Sequence, residues 1–188
     1  MFIQTESTPN PATLKFMPGQ TVLESGTADF AAPEAAGPSP LAKRLFGVDG
    51  VRGVFLGHDF ITVTKDDSLA WEHLRPAVMG AIMDHLQAGE PVMEGDGPAE
   101  SAHAAHDDGP DSQIVAGIKE LLDTRVRPAV AQDGGDIVFH GFDRGVVYLH
   151  MQGACSGCPS STMTLKMGIE NLLRHYLPDV TEVRPIAD

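Results

Sequence analysis

The amino-acid sequence predicts an α+β protein made of two small α/β-sandwich-like domains that a flexible linker joins. Apolar residues alternate with threonines between Phe60 and Lys65, which is typical of a half-buried strand. Between Trp71 and Leu86 they recur along one stripe, which is typical of an amphipathic helix. The strand-like and helix-like spacings of apolar residues together indicate the α+β class. A change of composition near residue 90 indicates the division into two domains.

That change of composition covers residues 90–110, which are rich in Gly, Glu, Pro, Asp, Ala and His and show no periodicity. Val92 and Met93 are the only large apolar residues there, too little apolar surface to repay the entropy of ordering. The sequence therefore predicts one domain over residues 1–89, a flexible acidic linker over residues 90–110 and a second domain over residues 111–188. His103 and His106 are expected to be solvated linker residues rather than metal ligands.

The N-terminal domain is expected to contain two helices and several short strands. Ser39 and Pro40 predict the start of the first helix, which runs to Phe46, because serine at the N-cap and proline in the first turn both favour a helix start. Asp67 or Ser68 is expected to cap the second helix. No catalytic constellation stands out in this domain. The predicted extended segments are residues 2–6, 13–17, 26–30, 51–56 and 60–65, the last two forming a hairpin.

The C-terminal domain is expected to have the order helix–strand–strand–helix–strand, which gives a three-stranded sheet backed by two helices. Ser112 is the expected cap of the first helix. Pro128 should end or kink that helix, because the residue before a proline, Arg127, is pushed away from helical angles. The sequence Asp143-Arg144-Gly145 predicts a tight hairpin turn. The predicted strands are residues 137–142, 146–151 and 180–184, and the second helix covers residues 160–176.

The two cysteines of the chain, Cys155 and Cys158, lie in a loop between a predicted strand and a predicted helix. Such a pair serves as a dithiol/disulfide couple, as half of a zinc site or as half of an iron–sulfur site. A purely structural disulfide is disfavoured, because a bridge across so short a loop removes little chain entropy. Zinc sites and the common clusters take four protein ligands, so further ligands must come from histidines, a small molecule or a second copy of the chain.

Composition and charge argue against several classes of function. The formal net charge of −13 disfavours nucleic acid as a partner, since a basic surface would be expected. The sequence has no apolar run long enough for a membrane span, so no membrane association is expected. The first residues match neither a secretory signal nor an Arg-rich transit peptide. Together with free thiols, this predicts a cytoplasmic bacterial protein, or a mitochondrial matrix protein if a transit peptide has been removed.

Patterns near the cysteines allow more than one interpretation. The segment Asp133-Gly134-Gly135-Asp136 pairs two carboxylates, but a turn is expected, with glycines supplying unusual backbone angles and aspartates closing it. His150 falls opposite the apolar residues of its strand, so we expect it on the solvent face. A dithiol/disulfide oxidoreductase is the alternative function. Thioredoxin-like enzymes place Cys-x-x-Cys in a parallel βαβ unit, whereas this motif is expected to follow an antiparallel hairpin, outside such a unit.

Several motifs in each half of the sequence occur together in one known family. In the C-terminal half they are Arg127-Pro128, Gln132 to Asp136, Gln152 to Ser161, and Thr164 to Glu170. These residues closely resemble the NifU C-terminal-like domain of Nfu-type iron–sulfur proteins. In the N-terminal half the motifs are Thr8 to Pro11, Leu14 to Phe16, Gly26 to Phe30, Ser39 to Ala42 and Phe60 to Lys65. This half resembles the Nfu N-terminal domain.

This resemblance implies an iron–sulfur cluster scaffold or carrier rather than an enzyme. The cluster ligands of the family carry over to Cys155 and Cys158, and to no other residue. The family commonly holds one 4Fe–4S cluster between two protomers. A 2Fe–2S cluster is the alternative form. The resemblance further implies a homodimer when the cluster is loaded, apo iron–sulfur proteins as recipients and an upstream assembly scaffold as donor. A zinc-bridged dimer would use the same sulfurs.

Overall fold

Two separate β-sheets, each with its own helices and hydrophobic core, form the protein in a computed structural model. The structure describes residues 2–95, 109–156 and 159–186, without the side chains of residues 159–161. One compact unit contains residues 2–95, and the other contains the described residues from 109 onward. The α+β class is confirmed. Most of the predicted linker, residues 96–108, lies outside the described residues, so the linker stays a prediction. No helix within the described ranges has the length and apolar character needed to cross a bilayer.

The N-terminal unit is a five-stranded antiparallel sheet whose core includes apolar residues of two helices. Each predicted extended segment overlaps one of the strands, and both predicted helices are present. The sheet order is β1-β2-β5-β4-β3. The elements are β1 (Gln4–Ser7), β2 (Thr13–Met17), β3 (Ala28–Phe30), a 3₁₀ turn (Pro33–Ala36), α1 (Pro40–Phe46), β4 (Val51–Leu56), β5 (Ile61–Lys65) and α2 (Trp71–Ala88).

The predicted caps of these two helices have different outcomes. Ser39 caps α1 as expected, since its Oγ accepts a hydrogen bond at 3.0 Å from the backbone N–H three residues later. Helix α2 begins at Trp71 without a side-chain cap, so neither Asp67 nor Ser68 has the predicted role. Ser68 instead donates to the carboxylate of Asp66 through both its N–H and its Oγ, which stabilises the turn before the helix.

The first residues of the predicted linker contact the N-terminal unit. Ser39 Oγ donates to the carbonyl oxygen of Val92 at 2.6 Å. The N–H of Glu94 donates to the carbonyl oxygen of Pro38 at 2.7 Å. Ser39 therefore has two roles, because the same hydroxyl caps α1 and fixes the chain that follows α2.

Ser39→Ala is expected to lower the free energy of unfolding of the N-terminal unit by about 2 kcal/mol, because it removes a helix cap and the donor to the Val92 carbonyl. Urea denaturation followed by the fluorescence of Trp71, the one tryptophan of the chain, measures this change. Ser7→Ala on the exposed surface of β1 is the matched control, with an expected change below about 0.5 kcal/mol. Equal, small effects of both substitutions would contradict the double role of Ser39.

The C-terminal unit has the predicted three-stranded sheet, in the order β6-β7-β8. Strands β6 and β7 form an antiparallel hairpin. Its turn residues, Arg144 and Gly145, both have positive φ angles, 49° and 82°, as the favoured two-residue hairpin turn requires. The elements are α3 (Ser112–Leu121), a π-helical turn (Leu122–Val126), α4 (Arg127–Gln132), β6 (Gly135–Asp143), β7 (Val146–Gly153), α5 (Pro159–Tyr176) and β8 (Glu182–Ile186).

Strands β7 and β8 run parallel, and α5 connects them. The loop that carries the cysteine motif therefore lies inside a βαβ unit. The expectation that the motif stands outside such a unit is wrong, because it considered only the hairpin before the motif and not the strand after α5. Topology alone consequently does not separate this loop from that of a thioredoxin-like enzyme.

The helical segment before β6 passes through Pro128 instead of ending there. Arg127 keeps helical angles, with φ −57° and ψ −43°, so its predicted departure from the helix is wrong. The π-helical turn over Leu122–Val126 is followed by α4, which begins at Arg127. Pro128 therefore lies in the first turn of α4, where a backbone N–H is not needed for a helical hydrogen bond. This geometry keeps Arg127 within reach of the start of β6.

Candidate metal centre

Cys155 lies in the turn that follows β7, and it is the predicted ligand whose position the structure gives. The residue is 7% exposed and belongs to the hydrophobic core of the C-terminal unit. Among the residues that the structure describes, it has no disulfide partner. Cys158 lies outside the described residues, so its role as a ligand stays a prediction.

Backbone hydrogen bonds on both sides of Cys155 fix its position. The N–H of Ala154 donates to the carbonyl oxygen of Gly134 at 3.2 Å, and the N–H of Ser156 donates to that of Gly153 at 3.1 Å. In the first turn of α5, Thr162 Oγ1 donates to the carbonyl oxygen of Cys155 at 3.2 Å. The cysteine is therefore held between the turn before β6 and the start of α5.

Gly135 leaves no room for a side chain beneath Cys155. A Cβ atom at this position would lie 2.5 Å from Cys155 Sγ and 2.8 Å from the carbonyl oxygen of Gln152. The preceding Gly134 has a φ angle of 80°, which favours glycine. Both glycines were predicted to shape a turn, and the structure adds that Gly135 forms the floor against which the sulfur packs.

Asp136 is buried and forms an ion pair with Arg127. Its two oxygens accept hydrogen bonds from Arg127 Nε at 2.8 Å and Nη2 at 2.9 Å. Its Oδ1 also accepts from the N–H of Ile137 at 2.8 Å. Asp136 was expected to close the turn, and instead it joins the start of β6 to the start of α4. The ion pair raises the pKa of Arg127 above its usual value, so this guanidinium stays charged.

Burial, together with the smaller effect of the negative charges of Asp133 and Asp136, raises the pKa of the Cys155 thiol to about 12. The thiol therefore keeps its proton at neutral pH in the empty protein. Because metals bind the thiolate, a metal must displace this proton. A buried thiol that carries its proton is also a poor nucleophile at neutral pH.

The histidines near the motif do not complete a site within the described residues. His150 alternates along β7 with the buried Leu149 and Met151, so it lies on the face opposite the core, as expected. His103 and His106 lie outside the described residues. In the described ranges no three His, Cys, Asp or Glu residues are grouped so that they could hold a metal ion.

Comparison with known proteins shows the family of the chain. The family described as "Scaffold protein Nfu/NifU N terminal" matches residues 3–89, and the "NifU-like domain" matches residues 118–184. The chain belongs to the Nfu family. The resemblance of the motifs is thereby confirmed for both halves of this Nfu-family chain.

Two relatives match the whole chain. The protein named "NFU1 iron-sulfur cluster scaffold homolog, mitochondrial" from Homo sapiens is 50% identical over 189 residues, which span 100% of this Nfu-family chain and 73% of the relative. The protein named "NifU-like protein 5, mitochondrial" from Arabidopsis thaliana is 53% identical over 191 residues, which span 100% of the chain and 69% of the relative.

The contact between Gly135 and Cys155 was missed by the sequence analysis of this Nfu-family chain. The signal was available in the hairpin, because pairing the strands outward from the turn at residues 144–145 brings Gly135 close to the cysteine loop. The observed register pairs Gly135 with Gly153, after a shift between Phe139 and Gly141. No local sequence pattern indicates that shift, so the exact partner of Gly135 was not predictable.

Metal uptake by this Nfu-family chain is expected to strengthen as the pH rises from about 6.5 to about 8.5. Throughout that range the Cys155 thiol, with its pKa raised to about 12, carries a proton that the metal must displace. Each displaced proton contributes about a tenfold rise in affinity per pH unit. Zinc(II) affinity measured by chelator competition tests this, with Cys155→Ser as the control that loses the contribution of this thiol. An affinity that is level across the range would contradict the prediction.

Proposed function

We propose that this Nfu-family chain is a scaffold and carrier that holds an iron–sulfur cluster through Cys155 and Cys158. The name of the human relative supports a cluster scaffold role. The observation that carries the proposal is the position of Cys155, whose loop is held by backbone hydrogen bonds on both sides and whose sulfur packs against Gly135. The chain has two cysteines, so the proposed thiolate ligands are these two and no others.

The number of ligands supports a cluster shared by two protomers. A 4Fe–4S cluster takes four protein ligands, and one chain supplies two thiols. Two copies related by a two-fold axis would supply all four. We therefore propose one 4Fe–4S cluster per homodimer, with a 2Fe–2S cluster as the other form that the same four thiolates could bind.

The proposed mechanism is binding and release of a cargo, without catalysis of a covalent step by the protein. The anchored backbone around Cys155 holds the ligand in place before loading, which lowers the entropy lost on binding. Loading displaces the thiol proton and converts a buried neutral group into a metal-bound thiolate. Since each chain holds half of the ligands, separation of the two protomers breaks the site and leaves the cluster to the thiols of a recipient.

The dithiol/disulfide oxidoreductase is disfavoured by the environment of Cys155 rather than by topology. Redox-active cysteines have a lowered pKa and an accessible sulfur. Cys155 is buried, and its pKa is raised to about 12. A zinc-bridged dimer would use the same thiolates. The zinc, iron and sulfide content of the protein distinguishes the two kinds of site.

The proposed partners follow from the carrier role. We propose apo iron–sulfur proteins as recipients and an upstream assembly scaffold as the donor. Both relatives carry the word mitochondrial in their names, which supports the mitochondrial matrix rather than the cytoplasm that the sequence favoured.

Native mass spectrometry after anaerobic reconstitution, with iron and sulfide counted on the same sample, tests this function. The expected product is a dimer with four iron and four sulfide ions, and the apo-protein should be shifted towards monomer, because a ligand that binds only the dimer stabilises it. A monomer that carries a complete cluster would contradict the shared site. A protein that binds no iron and forms a reversible disulfide would instead favour the oxidoreductase.

A further inference from the structure

We propose that Arg127 is a positioning residue for cluster binding, which acts on Cys155 through the buried carboxylate of Asp136 and the adjacent Gly135. This inference rests on the proposed function, because it concerns the cargo that Cys155 would hold. It goes beyond that function by assigning a specific task to an arginine that is not itself a ligand.

Arg127 and Asp136 form an ion pair through two parallel hydrogen bonds. Arg127 Nε and Nη2 lie 2.8 Å and 2.9 Å from the two oxygens of Asp136, the paired arrangement that suits a planar guanidinium and a carboxylate. The side chain of Asp136 is 4% exposed and that of Arg127 is 24% exposed. Arg127 Nη1 also donates to Asp123 at 3.1 Å, one turn earlier along the helical segment. The guanidinium is therefore held from two sides.

Gly135 connects Asp136 with the sulfur of Cys155. Asp136 directly follows Gly135, and its Oδ1 accepts from the N–H of Ile137 at 2.8 Å, so the backbone on its C-terminal side is bound to the same carboxylate. Gly135 packs so closely against Cys155 that a Cβ atom would lie 2.5 Å from Sγ. A shift of Asp136 would therefore move the floor beneath the sulfur.

Arg127 also affects the electrostatic environment of a Cys155 thiolate. Loading of a cluster places negative thiolate in a buried region next to Asp136 and near Asp133. Like charges repel strongly where the surroundings are apolar. The guanidinium of Arg127 offsets part of the negative charge of Asp136, so the thiolate meets less repulsion than an isolated carboxylate would exert. A lysine would keep this charge and lose the two-pronged contact, whereas a glutamine would lose both.

The test compares Arg127→Gln, Arg127→Lys and the double variant Arg127→Gln with Asp136→Asn in the full chain. Cobalt(II) is the probe, since its sulfur-to-cobalt charge-transfer band reports thiolate ligation. We expect Arg127→Gln to weaken cobalt affinity by roughly 10–100-fold, the range typical of residues that support metal ligands. Arg127→Lys and the double variant should each recover most of that loss, because neither leaves an unpaired buried carboxylate.

Arg125→Gln is the matched control, because Arg125 is an exposed arginine in the turn that precedes Arg127. It removes the same charge and should leave the cobalt affinity unchanged. Thermal melting of each apo variant accompanies the titration. A folded Arg127→Gln variant with wild-type affinity would overturn the proposal. Equal losses in Arg127→Gln, Arg127→Lys and the double variant would also overturn it, because packing alone would then explain them.

Reconstitution of the same variants separates this inference from the proposed function. If the wild-type chain binds cobalt through thiolates yet takes up no iron and sulfide, the proposed function fails, while the cobalt affinities still decide the role of Arg127. If the wild-type chain loads a cluster, the loss of visible absorbance in the presence of an iron chelator should be faster in Arg127→Gln, with recovery in the double variant. A loaded Arg127→Gln protein that keeps its cluster as long as wild type would count against the inference.

Discussion

Cys155→Ser is expected to abolish stable cluster binding and to leave the protein as an apo monomer under reconstitution conditions. A shared cluster would lose two of its four thiolates, one from each protomer. The loss should therefore exceed the roughly 10–100-fold penalty that follows removal of a supporting residue. Iron and sulfide per chain, together with the mass of the assembly in native mass spectrometry, measure the effect. Cys158→Ser is expected to have the same result.

Ser156→Ala is the matched control for the cysteine substitutions, since Ser156 is exposed and neighbours Cys155 in the same loop. It should load a cluster as wild type does, because it keeps both thiols and the hydrogen bond from the backbone N–H of residue 156 to Gly153. The result that would count against Cys155 as a ligand is a Cys155→Ser dimer with wild-type iron content.

Gly135→Ala is expected to impair both cluster loading and stability. The added methyl group would lie 2.5 Å from Cys155 Sγ and 2.8 Å from a backbone oxygen, so the cysteine loop has to shift. Such overpacking typically costs about 1–3 kcal/mol of folding free energy. Because the shift moves a ligand sulfur, iron uptake should fall well below that of wild type even at temperatures where the variant is folded. Melting temperature and iron content on one preparation measure the two effects.

Gly141→Ala provides the comparison on the same strand, because a Cβ atom at Gly141 meets no heavy atom within 4 Å. It should change neither melting temperature nor iron content by a measurable amount. If Gly135→Ala loads a full cluster while folded, the floor beneath Cys155 has no part in ligand positioning.

Local patterns predicted most of the elements, because their causes lie within a few residues of sequence. Alternation of Val63 with its threonine neighbours predicted a strand, and the Ser39-Pro40 pair predicted the start of α1. The hairpin turn at Arg144 was predicted for the same reason. Cys155 was singled out as a site residue from motif and resemblance alone, and its ligand role remains a proposal.

The remaining features depend on contacts between distant parts of the chain. The bond from Ser39 to Val92 joins residues far apart in sequence, and no local pattern announces it. The parallel pairing of β8 with β7 depends on the path of α5 and not on the hairpin. The residue before a proline usually leaves helical angles, but Arg127 keeps them because a π-helical turn precedes it. Long-range geometry, rather than propensity, decided each case.

The burial of Cys155 also bears on how the empty protein survives oxidants. Peroxide attacks the thiolate and spares the thiol, and the first products of that attack lead towards irreversible acids. A sulfur that is enclosed in the core and still carries its proton reacts slowly, so we expect the Cys155 thiol to stay reduced when it binds no metal. The packing against Gly135 that would position a ligand sulfur would thereby also protect it from oxidation.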